Sequence, residues 1–383
     1  MAPAYGKDTL ADLGRSLFAA LGVAGLDDPV GIGPLGSVCL LLVDGLGWRQ
    51  LQARRDRAPF LSTLMDRPDA RRLSAGFPAT TATSLTSIGT GLSPGEHGMV
   101  GYTFALPDLD RPINALRWEP YGRGRRTDLR STYPPEWVQP NSTLFERAAA
   151  QGVDSVVVGS VEHVGSGLTQ AVFRGARMHP GFGMGDVATA SSGVLAEGSA
   201  RFAYAYHANL DTTAHVRGAA SEAWSLELAH VDRLAADLAE RLPPGSALVV
   251  TGDHGIVDVA EADRIDLGDR PELVEGVAMV GGEGRVRHLY TEPGAEGDVL
   301  ATWRGSLGDR MWIISREEAV EARWFGPAIG PEARLRIGDV VAAARDRVVV
   351  VQREVDPIQA SLVGHHGSFD PVEQQVPFLI HRA

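Results

Sequence analysis

One cysteine, Cys39, stands in 383 residues. An intrachain disulfide is therefore impossible and a cysteine-built metal site is excluded. Cys39 lies inside the apolar run SVCLLLVD, where it reads as a small core residue. Lysine is almost missing too: Lys7 is the only one, and arginine carries the remaining positive charge. Positive charge as a whole is short, 36 Lys and Arg against 48 Asp and Glu, for a net charge of −12. The basic footprint of a nucleic-acid binder is absent, so no nucleic acid polymer is expected as a partner. Arginine suits bidentate phosphate contact, yet its use throughout the chain reads first as composition bias. No apolar run approaches the ~18 residues of a membrane span. The opening MAPAYGKDTLADLGRSLF has no basic stretch leading into an apolar one. No signal peptide and no membrane partner are expected, and the expected compartment is the cytoplasm.

What is present is a core-forming sequence with 44% hydrophobic residues. Short apolar runs at 37–44, 154–160, 201–210, 246–253 and 347–352 read as strands. They are continuous and do not alternate, which is the pattern of a parallel sheet covered on both faces. ARRLSAG reads as a further strand before residue 77. Amphipathic stretches lie between the strands. In 221–245, Val231, Leu234, Leu238 and Leu242 recur at helical spacing until Pro243-Pro244-Gly245 stops them. The segment 142–153 opens on a Ser cap, Ser142, and leads into a strand. The alternation predicts an α/β fold: a doubly wound, mostly parallel sheet with helices on both faces, in one catalytic domain over 1–383. Two segments break the rhythm, 103–140 and 265–335, and both read as insertions that cover a site.

In open α/β sheets, ligands gather at the carboxyl ends of the strands. The residues found there are Asp44 after the first strand, Asp211 with His215 after the third, Asp253-His254 in TGDHG, and His365-His366 in GHHG. Carboxylate oxygen and imidazole nitrogen are the donor set of Zn²⁺ or a similar ion. Each residue alone has a plain structural reading as a cap, a turn or a helix-face pair. Together they exceed one tetrahedral site and suit two metals, a recurring device of phosphoryl chemistry. A hydroxyl nucleophile is expected in FPATTATSLTSIGTGLSPGEHG, at a strand-to-helix turn. GIGPLG at 31–36 has dinucleotide-loop spacing, but it precedes a strand where that loop must follow one. His97 and His230 read as structural, and His207 as an outer partner of the ligand cluster.

LLLVDGLGW, FPATTATSLTSIGTGLSPGEHGMVGY, DTTAH, TGDHG and GHHG, over residues 40–367, resemble the alkaline phosphatase superfamily. The resemblance is strongest to the type I phosphodiesterase/nucleotide pyrophosphatase branch. It implies one metal on Asp44, Asp253, His254 and the nucleophile. It implies a second on Asp211, His215 and His366, since the family histidine directly precedes Gly. It also implies Thr81 as the nucleophile, with Thr80 and Thr83 as alternatives, and a phospho-threonine intermediate in hydrolysis of a phosphodiester or pyrophosphate, nucleotides included. The implied cofactors are two divalent ions, Zn²⁺ first, with Mn²⁺ or a mixed pair as alternatives; the implied partner is a small-molecule phosphoester. The family's phosphate-binding Asn falls near Tyr102, which puts the nucleotide preference in question. A phosphomonoesterase, a phosphonate hydrolase, a phosphomutase and a non-catalytic metal-binding scaffold share the core and stay as alternatives.

Overall fold

The computed structural model describes residues 3–198 and 201–383. In chain order its main elements are α1 (Leu10–Ala20), β1 (Ser37–Val43), β2 (Arg71–Ser74), α2 (Thr81–Thr90), β3 (Ser155–Ser160), β4 (Arg177–Gly181), α3 (Met184–Ala196), β5 (Phe202–His207), α4 (Asn209–Arg217), α5 (Glu222–Arg241), β6 (Ser246–Gly252), β7 (Val277–Glu283), β8 (Val286–Thr291), α6 (Glu296–Leu307), β9 (Met311–Ser315), β10 (Val340–Ala344) and β11 (Gln375–Arg382). A seven-stranded sheet in the order β2-β11-β6-β1-β5-β3-β4 forms the centre. All its pairings are parallel except those of β11, which runs antiparallel to both β2 and β6.

Both faces of this sheet are buried. On β1, Val38, Leu40 and Leu42 join the core on one face, with α1. Cys39, Leu41 and Val43 join the core on the other, with Leu228, Val231, Leu234 and Leu238 of α5. Burying each such Leu or Val stabilises the fold by about 1.5–3 kcal/mol. The helix expected over 221–245 thus forms, capped by the Ser221 side chain on Trp224 N–H. The one expected from Ser142 is capped one residue later. Thr143 accepts from Glu146 N–H, and the Glu146 carboxylate accepts from Thr143 N–H in return.

Two strand expectations are corrected, and one strand was not expected. The strand expected over 201–210 ends at His207, because residues 209–217 turn into α4. The apolar run 347–352 stays out of the central sheet: Val349–Val351 pairs in parallel with Arg264–Asp266 in a separate two-stranded sheet. The expectations lacked β11, which pairs with β6 over residues 379–382 and with β2 over residues 375–378.

The two irregular segments carry small sheets of their own. Residues 103–140 contain a three-stranded sheet, and residues 277–344 form an antiparallel sheet in the order β7-β8-β10-β9. Among the described residues, no helix is long and apolar enough to cross a membrane.

Candidate metal centre

Register brings the acidic residues together. Val43, the last residue of β1, lies opposite Gly252 of β6 on one side and His207 of β5 on the other. Asp44 and Asp253 therefore leave the sheet side by side. Asp211 is not at the strand end; it lies in the first turn of α4, and His215 follows one turn later on the same helix face. The chain after Asp44 can run this close to Asp211 because residue 45 is glycine. Gly45 has φ +74°, and a Cβ there would sit 2.9 Å from the Asp211 Cα. His366 arrives from the segment before β11.

Two groups of possible metal ligands result. In one, Asp44, Asp253 and His254 present ligand atoms within 4.8 Å of one another; in the other, Asp211, His254 and His366 do. His254 stands in both, with its ring stacked on His366 at 3.6 Å between centroids. His215 joins the second group through Asp211, with Nε2 at 3.1 Å from Oδ2.

The hydrogen bonds decide which atoms face inward. His254 Nδ1 faces Gly255 O at 3.1 Å, His215 Nδ1 faces Gly364 O at 2.8 Å, and His366 Nδ1 faces Ala79 O at 2.9 Å. A ring nitrogen facing a carbonyl oxygen carries a proton, so the other ring nitrogen of each histidine, Nε2, is the one turned toward the cluster. Asp253 Oδ1 accepts from Gly45 N–H and His254 N–H, and Asp44 Oδ2 accepts from the Tyr206 hydroxyl. The other oxygens, Asp44 Oδ1, Asp253 Oδ2 and Asp211 Oδ1, are buried with no hydrogen-bond donor. His254 Nε2 lies 3.4 Å from Asp44 Oδ1 and 3.3 Å from Asp253 Oδ2. Lone pairs facing lone pairs in a buried site call for a positive charge between them. Nitrogen and carboxylate donors with oriented imidazoles fit a divalent cation.

Electrostatics agree with that geometry. Burial, with Asp253 and Asp211 beside it, pushes the Asp44 carboxyl well above its ordinary range, against the hydrogen bond from Tyr206. Burial and the neighbouring His254 push His366 well below the usual imidazole range. At His215 burial acts downward, but Asp211 outweighs it and lifts the ring to about 9.

Of the three candidate hydroxyls, only Thr81 has its oxygen against a ligand ring, with Oγ1 at 3.3 Å from His254 Nε2. It is the first residue of α2, whose N-cap Thr80 makes no side-chain capping bond. Thr83 is turned away and donates to Met99 O at 3.0 Å. Tyr102 accepts from Asn114 Nδ2 at 2.7 Å. His365 faces Leu362 O through Nε2 at 3.0 Å. His207 meets Glu227 at 2.9 Å, and its carbonyl takes the Asp44 N–H. His97 is buried on Ser87 at 3.0 Å.

Two residues beside the site escaped the sequence. Tyr206 reads only as a strand residue. Glu283 sits in the glycine-rich stretch VGGEGRV. It is buried, its Oε2 lies 3.5 Å from His366 Nδ1, and its Oε1 has no hydrogen-bond donor. Burial pushes its carboxyl up to about 8, although the Thr80 hydroxyl bonds to it.

No curated protein sequence matches the chain. Murine ectonucleotide pyrophosphatase/phosphodiesterase 5 superposes with a TM-score of 0.70 at 19% identity, covering 91% of this chain and 88% of that one. An inactive threonine-to-alanine variant of the murine enzyme, in complex with AMP, superposes at 0.69 with 18% identity, covering 90% and 88%. Phosphonoacetate hydrolase from Sinorhizobium meliloti 1021, in complex with phosphonoformate, superposes at 0.66 with 19% identity, covering 91% and 90%. The sequence profile of the type I phosphodiesterase/nucleotide pyrophosphatase family matches residues 38–369. The chain therefore belongs to that family of metal-dependent hydrolases, and it shares its fold with the solved structures above.

Proposed function

We propose that the protein hydrolyses small phosphodiesters or pyrophosphates, nucleotides among them, with Thr81 as nucleophile and two divalent ions, zinc first. Asp44, Asp253, His254 and Thr81 would hold one ion, and Asp211, His215 and His366 the other. When bound, such ions neutralise charge on the phosphoryl oxygens and favour the ionised nucleophile. The observation that carries the reading is the set of three donorless buried carboxylate oxygens, two of them facing His254 Nε2, with one hydroxyl, that of Thr81, against the same ring nitrogen.

The chain's own groups supply the rest. Thr81 opens α2, so the N–H groups of that first turn, with no side-chain cap from Thr80, favour a phosphate beside the hydroxyl. The Thr81 Oγ–P bond forms as the bond from phosphorus to the leaving oxygen breaks. Water then splits the phospho-threonine, releasing phosphate or a phosphomonoester and returning the hydroxyl proton. Tyr102 is proposed to bind substrate. Its oxygen is occupied by the Asn114 amide, which leaves its O–H as a donor. The segments 103–140 and 265–335 are proposed to cover the site and read the groups beyond phosphorus. The inactive threonine-to-alanine relative with AMP supports both the nucleophile class and the substrate class.

A rate comparison on metal-loaded protein tests the reading. The substrates are bis-p-nitrophenyl phosphate, p-nitrophenyl phosphate, thymidine 5′-p-nitrophenyl phosphate and phosphonoacetate, each with a chelator control. Chelator-sensitive preference for a diester is expected. Preference for the monoester moves the protein to the phosphatase or mutase side, and preference for phosphonoacetate to C–P cleavage. Two bound ions with no turnover of any substrate contradicts catalysis and favours the scaffold.

A further inference from the structure

The turn between β7 and β8 leaves the second sheet and ends against the metal centre. Its Arg285 is fully buried and binds Glu373 through two bonds, Nη2 to Oε1 at 2.7 Å and Nε to Oε2 at 2.9 Å. The remaining Nη1 donates to Asp346 O and Val348 O, at 2.8 and 3.1 Å. Glu373 then touches both histidine-bearing loops. Its Oε2 accepts from Ser368 N–H at 3.0 Å, two residues past His366. Its carbonyl accepts from Gly255 N–H at 2.8 Å, one residue past His254. Glu283 of the same turn lies against Gly367, where an added Cβ would come within 3.1 Å of its Cδ. Its Oε2 is the 3.5 Å neighbour of His366 Nδ1.

We propose that this turn sets the positions of His254 and His366, with Arg285 and Glu283 as positioning residues contributed by the second sheet. The inference rests on the two-ion reading above. A buried, bidentate Arg–carboxylate pair is weak evidence for stability but strong evidence for fixed geometry. Here the geometry it fixes is that of two loops whose rings stack on each other. Outer partners of this kind typically govern metal affinity by about 10–100-fold.

The test uses cobalt(II), whose visible absorption reports ligand geometry, on the full chain and on Glu283→Gln and Arg285→Lys. Glu283→Gln keeps the shape and replaces a carboxyl oxygen with an amide NH2; Arg285→Lys keeps the charge and removes the fork. Each variant is expected to bind Co²⁺ about tenfold or more weakly, with shifted absorption bands and a lower kcat at little changed KM. If Arg285→Lys fails to fold, Glu283→Gln still decides. A merely structural role lowers the melting temperature alone. Variants with wild-type Co²⁺ affinity and spectrum would overturn the proposal. A wild-type protein that binds no Co²⁺ overturns the two-ion reading itself, and this inference with it.

Discussion

Chelation should cost the protein about 10 °C of thermal stability. Asp44, Asp211 and Asp253 each bury one oxygen that no protein donor reaches, so on the two-ion proposal the folded chain binds cations that the unfolded chain does not. An ion that binds only the folded state adds about 4 kcal/mol when its concentration is a thousand times its Kd. Two ions add about 8 kcal/mol. The entropy of unfolding is about 2.1 cal/mol/K per residue, hence about 0.8 kcal/mol/K for 383 residues. The quotient gives the 10 °C. Scanning calorimetry on dialysed protein, across a series of Zn²⁺ or Mn²⁺ concentrations, reads it directly. Tm should climb steadily with the logarithm of metal concentration. In the same assay, Asp44→Asn should raise the Tm of the chelated protein, because it removes a carboxyl that burial disfavours and that Asp253 and Asp211 also repel. It should also lose about half of the response to metal. A Tm that moves by less than about 2 °C between chelator and saturating metal would refute the reasoning, since the orphan oxygens would then not be cation ligands.

Tyr206→Phe removes the hydroxyl that donates to Asp44 Oδ2 and leaves the ring packed, so metal affinity at the Asp44 group should drop about 10–100-fold, measured by chelator competition. Acid should weaken the chelated protein through two buried histidines away from the ions. Burial holds His97 to about 3 and His288 to about 4, against an ordinary 6.5. Both are neutral when folded and protonate when unfolded, so the stability they contribute is intact above pH 6.5 and falls as pH drops toward 4. Each should cost about 2 kcal/mol by pH 5, and His288→Gln should flatten the urea-midpoint decline by that amount.

Much of the site could be read in the sequence because its physics is local. Strands buried on both faces, such as β1 and β6, are continuous apolar runs, and an Asp or His just past such a run stands out. Asp44, Asp253 and His254 were visible for that reason. Asp211 and His215 were visible as an i, i+4 pair, although the strand before them stops earlier than its apolar composition suggests. Strand β11 was hidden by Pro377, which breaks the apolar run. The sheet tolerates it because Pro377 pairs only with Arg72 of the short β2, beyond the reach of β6. The run 347–352 misled in the opposite sense. Val349 and Val351 bury in one small core and Val350 in another, so burial on both faces is real but belongs to a different sheet. Tyr206, Glu283, Arg285 and Glu373 act through partners far away in the chain. Arg285 and Glu373 are 88 residues apart, and no periodicity reports such a contact.

Turnover and metal content of Thr81→Ala test the central claim most directly. The variant should lose at least about a thousandfold in kcat on its best phosphodiester, because the covalent route closes. It should still bind two ions per chain, since the carboxylates and imidazoles remain. Wild-type turnover by Thr81→Ala would contradict the account and return the nucleophile to Thr80, Thr83 or a water.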